Sequence, residues 1–135
     1  MFKKLRVVSV VALVAFALTV SVGGLFAADD KVPTISEIMK VGHAGGKSLI
    51  SKIKTSVKGA KWDDAKAPAD ALKVFGEALG KSKPEKGDAA SWKKLSAKYL
   101  ESTAAVAAGV EKKDAKAVTT ALGKINCAEC HKVHK

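Results

Sequence analysis

Residues 127–131, Cys127-Ala128-Glu129-Cys130-His131, carry the most specific chemistry in the chain. Cys-x-x-Cys-His is the attachment signature of a c-type haem. Two thiols at this spacing can add across two haem vinyl groups as thioethers. The histidine after the second cysteine then lies where it can ligate the iron. On a helix, Cys127 and His131 are four residues apart and share a face. These are the only two cysteines in the chain. Other chemistry stays open at this point. In an oxidising compartment the two thiols can close a disulfide. Zinc could draw on Cys127, Cys130, His131 and His134, although adjacent Cys130 and His131 make poor joint tetrahedral ligands. A thioredoxin-like site would want a βαβ context, which the sequence lacks.

Such a motif needs export and a scaffold. Lys3, Lys4 and Arg6 precede an apolar run from Val7 to Val22, then small residues, then Asp29 and Asp30. This is the pattern of a secretory signal peptide over residues 1–28, expected to be cleaved after Ala27 or Ala28. The location expected is periplasmic or otherwise exported. An uncleaved segment would instead anchor the chain in a membrane, though the run is short for a span of roughly 20 residues.

Removing residues 1–28 lowers the net charge from +11 to +8 and removes Arg6, the only arginine. A lysine-only surface lacks the bidentate fork that suits phosphates and base edges. With only 5% aromatic residues and no nucleic-acid motif, nucleic acid is not an expected partner. The excess charge is either a plain solvated surface or a steering field for an acidic protein.

Residues 29–135 form one domain. Ala, Val, Leu and Lys are abundant, and only three prolines interrupt. Thr34 and Glu37 fit a capping box. Ile35, Met39, Gly42, Gly46, Leu49, Ile53 and Val57 then follow steps of three and four, which predicts one long helix. Gly42, Gly45 and Gly46 within it call for a reason, either a break after His43 or space for a flat group against the helix. A second helix is expected near Trp62, with Pro68 in the first turn of a helix properly beginning near Ala67. Residues 80–88 read as a turn. A third helix is expected over residues 89–110. A fourth starts near Ala115, holds Val118, Leu122 and Ile125, and continues into the Cys127 motif. Four amphipathic helices with short loops predict an all-α fold, an antiparallel four-helix bundle with a C-terminal covalent haem.

From about Ile35 to Lys135 the chain resembles the class II cytochromes c, which include cytochrome c′ and the low-spin c556 type. The resemblance rests on a C-terminal Cys127-x-x-Cys130-His131 followed by Lys132, on Ile38-Met39-Lys40 and on Trp92-Lys93-Lys94-Leu95. The missing arginine departs from cytochrome c′, which often places a basic residue near the haem. The resemblance implies one covalent haem c, with His131 as proximal iron ligand. In the c556 type a methionine of the first helix is the sixth ligand, and Met39 matches its place. His43, four residues on, shares that face and is the rival. His134 is expected to be a solvated terminal residue. With Met39 bound, the expected role is a one-electron carrier between redox proteins, not an enzyme. With the sixth position open, the implied role is binding of NO or CO. Lysines such as Lys132 and Lys135 would surround the haem edge. Homodimers are common in the family.

Overall fold

The structure is a computed structural model that describes residues 31–135. The expected signal peptide lies outside the described residues. Among the described residues six helices follow one another: α1 (Ile35–His43), α2 (Leu49–Lys58), α3 (Trp62–Lys81), α4 (Ala89–Glu111), α5 (Ala115–Gly123) and α6 (Cys127–His134). Among the described residues there is no strand. None of these helices is long and apolar enough to cross a membrane.

Side-chain caps decide where most of the helices begin. Thr34 Oγ1 accepts from the Glu37 N–H at 3.2 Å, and Glu37 accepts from the Thr34 N–H at 2.7 Å, so the predicted capping box is formed. Ser48, Asp88, Asp114 and Asn126 likewise accept from the N–H three residues on. α3 has no side-chain cap, but Asp63 and Asp64 occupy its first turn, where negative charge is favoured.

Three expectations about helix limits need correction. The long first helix breaks into α1 and α2 across Ala44–Ser48. Gly45 takes φ +73° there, a conformation suited to glycine, and Ser48 caps the restart. Gly42 provides close packing, since an added methyl group would sit 3.4 Å from the Phe75 ring. Pro68 lies inside α3, which already begins at Trp62. An interior proline costs about 3 kcal/mol. The buried Leu72, Phe75 and Leu79 of α3 outweigh it, since each large apolar side chain buried contributes about 1.5–3 kcal/mol. The last helix does not run into the Cys127 motif. α5 stops at Gly123, and Asn126 caps a separate α6.

α3 and α4 form the spine. Trp92 Nε1–H donates to the Ser82 carbonyl at 2.8 Å, Gly80 faces Ser96, and Gly76 faces Leu100 and Thr103. This falling-and-rising register makes the pair antiparallel. Ile38, Ile53, Leu72, Phe75, Val106 and Val118 are fully buried around it. α1 reaches the spine through Gly42 and Phe75, and α5 through Val118 against Gly109. The whole is an all-helical arrangement compatible with a helical bundle.

Candidate functional site

α6 is only eight residues long and starts at Cys127. Cys127 and His131 are exposed, while Cys130 is half-buried against the core. Opposite α6 stands the last turn and a half of α1, with Met39 and His43 both half-buried. Met39, His43, Cys127, Cys130 and His131 line one cleft. Every residue that the sequence singles out for haem chemistry is therefore gathered in one place, although the α1 and α6 residues are some ninety positions apart in the chain. Two breaks bring this about. The turn at Gly45 ends α1 just after His43. The connection at Lys124–Asn126 frees α6 to lie against α4.

The floor of the cleft is apolar, made by Leu79 of α3, Leu95 and Tyr99 of α4, and Ile125. Lys98 pairs with Glu129 at its rim, at 3.0 Å. Both side chains are about half exposed, so this pair contributes under about 1 kcal/mol. The cavity volume is about 60 Å³. Met39, Cys130 and His131 also border a wider trough of about 690 Å³, whose far walls include the start of α1, Trp92, Lys81, Lys83 and Lys135. The two spaces share those three side chains, so a flat guest could lie along both.

Two contacts in this region escaped the sequence reading. The first is His43 Nε2 against the Tyr99 hydroxyl at 2.8 Å. Burial, and then the charge of His131, hold the His43 imidazolium below its usual 6.5. Burial first, and then Cys127, push the Tyr99 phenol well up. Both partners are thus neutral near pH 7, and the imidazole tautomer decides which of them donates. In the sequence Tyr99 is one position within the expected third helix. Its spacing carried no signal of a partner on α1.

The second contact corrects the expectation for His134. It is buried, at 8% exposure. Its Nδ1 meets the Lys86 carbonyl at 2.8 Å and its Nε2 meets the Ser91 hydroxyl at 3.1 Å. Both ring nitrogens are thus already engaged, and the zinc set of Cys127, Cys130, His131 and His134 is not gathered. Among the described residues no cluster of three or more His, Cys, Asp or Glu side chains could hold a metal ion. The two cysteines are free thiols. Burial first, then Cys127 and Glu129, raise the Cys130 thiol above its usual value, so it stays protonated near neutrality.

Chemically, α6 offers two thiols one turn apart, with an imidazole beside the second. The opposite wall offers a thioether and a second imidazole. This donor set suits a covalently attached haem better than a bare metal ion, because Cys127 and Cys130 could form two thioether links while His131 and Met39 or His43 could ligate the iron. Comparison of the chain with models of known protein families, with curated proteins and with solved structures finds no match.

Proposed function

We propose that this chain is an exported mono-haem c-type cytochrome of class II type that carries single electrons between redox proteins. One observation carries the reading: Met39 lines the same cleft as Cys127, Cys130 and His131. The Cys-x-x-Cys-His spacing, the exported-type N-terminus and the resemblance to the class II cytochromes c support it. Cys127 and Cys130 hold the haem through thioethers, His131 is the proximal ligand and Met39 the distal one. When bound, the haem supplies an iron that passes between ferric and ferrous states. The protein's part is to keep the ligands still across that change. Met39 sits on a helix whose start is locked by the Thr34–Glu37 box. Leu79, Leu95 and Ile125 line the cleft with apolar surface, which limits water access and sets the potential. No substrate is turned over, so the chain is a carrier and not an enzyme. The bundle is the antiparallel four-helix type, with α1 and α2 as one interrupted helix and α5 and α6 as another. Surface lysines steer acidic redox partners, and two copies can pair as a homodimer.

Two measurements test this. A haem stain on a denaturing gel of the exported protein is expected to be positive, and to be lost in C127A/C130A. The optical spectrum is expected to show sharp low-spin bands in both redox states, with M39A turning high-spin. A wild-type protein that is already high-spin and binds CO readily when reduced would replace the carrier role with the alternative of NO or CO binding.

A further inference from the structure

α6 carries both cysteines and His131, yet it is a short helix at the chain's end. Eight residues are too few to hold a helix in water without outside contacts. Along α6 its contacts with α4 are sparse, and the Lys98–Glu129 pair is solvent-exposed and weak. The anchoring is concentrated at the other end of the helix, on His134.

Four observations meet there. The imidazole uses both ring nitrogens, one on the Lys86 carbonyl and one on the Ser91 hydroxyl. Its ring stands edge-on to Trp92, with centroids 5.2 Å apart and planes at 75°, a favourable aromatic arrangement. Trp92 is itself fixed by its bond to the Ser82 carbonyl. Gly87, at φ +85°, leaves the space that the ring fills, since a methyl group at that position would overlap the His134 ring.

We infer that His134 is a positioning residue: it latches α6 to the α3–α4 loop and thereby holds Cys127, Cys130 and His131 toward the cleft. His134 does not touch the iron in this scheme. It acts through His131, one helical turn before it. The role toward iron rests on the proposed function, whereas the latch itself does not.

The experiment compares wild type with H134F, H134N and G87A as full-length exported proteins. H134F keeps the ring and loses both hydrogen bonds. H134N keeps a donor near the Nδ1 position. G87A leaves His134 in place and closes its seat. Amide exchange over residues 127–134 is expected to quicken about tenfold in H134F and G87A, the factor for losing one or two net hydrogen bonds, and to recover in part in H134N. Amides in the middle of α3 and α4 should keep their wild-type rates. In the haem-bearing protein the same two variants should shift the midpoint potential and weaken the low-spin bands, with H134N intermediate.

Wild-type exchange and spectra in H134F would overturn the inference. So would equal acceleration everywhere, which would mean general destabilisation. A wild-type protein without thioether-bound haem would overturn the proposed function instead, and the exchange rates would still decide the latch.

Discussion

At the scale of single residues, His43 is a half-buried imidazole paired with the Tyr99 hydroxyl. Its folded-state proton affinity is lowered, mainly by burial, from the ordinary 6.5. The unfolded chain therefore binds the extra proton first as pH falls. The sign follows directly: His43's contribution is full above 6.5 and is lost as pH falls through its lowered folded value. Urea unfolding of the haem-free protein should give a stability that declines over this window. H43L should flatten that part of the profile, and an unchanged slope in H43L would remove His43 as the cause. Residues of this kind divide sharply in legibility. Cys127, Cys130 and His131 are readable because type and spacing single them out, and Met39 because the resemblance to the class II cytochromes c points to its place on the first helix. Tyr99 and His134 were not, because their partners, His43 on α1 and the carbonyl of Lys86, are far off in sequence and belong to no motif.

At the scale of elements, the beginnings of helices were legible and their interruptions less so. Thr34 with Glu37 announces α1, because a capping box is a local pattern. The breaks at Gly45 and at Lys124–Asn126 were harder to read. A three-and-four periodicity continues across both, and only the tertiary arrangement decides that the chain turns there. Pro68 misled in the opposite direction: local rules place it in a first turn, while burial carries α3 back to Trp62. Capping can be tested directly on α4, which presents Leu95, Lys98 and Tyr99 to the cleft. Asp88 accepts from the Ser91 N–H at 2.8 Å. D88A should cost about 1 kcal/mol, and D88N should retain most of the stability. Chemical denaturation of the two variants side by side is the check.

At the scale of the whole molecule, the antiparallel α3–α4 spine depends on close backbone approach. Gly76→Ala would gain about 1 kcal/mol of helix propensity. Its methyl group would collide with Thr103 Oγ1 and lie 3.1 Å from Leu100 Cα, and overpacking of this kind costs about 1–3 kcal/mol. The net expectation is a lower melting temperature, and a G76A variant that melts higher would show that the spine has slack. α1 is held differently. It is nine residues long, is held in the core by the buried Ile38 and by Gly42 against Phe75, and is separated from α2 by the Gly45 turn. It buries fewer residues than either helix of the spine, so it can detach at a smaller free-energy cost. The α1 wall of the cleft is thus a hinged flap over a floor fixed on α3 and α4. Mild denaturant should peel Met39 out of the cleft while α3 and α4 stay folded, as a separate, reversible step before the protein unfolds.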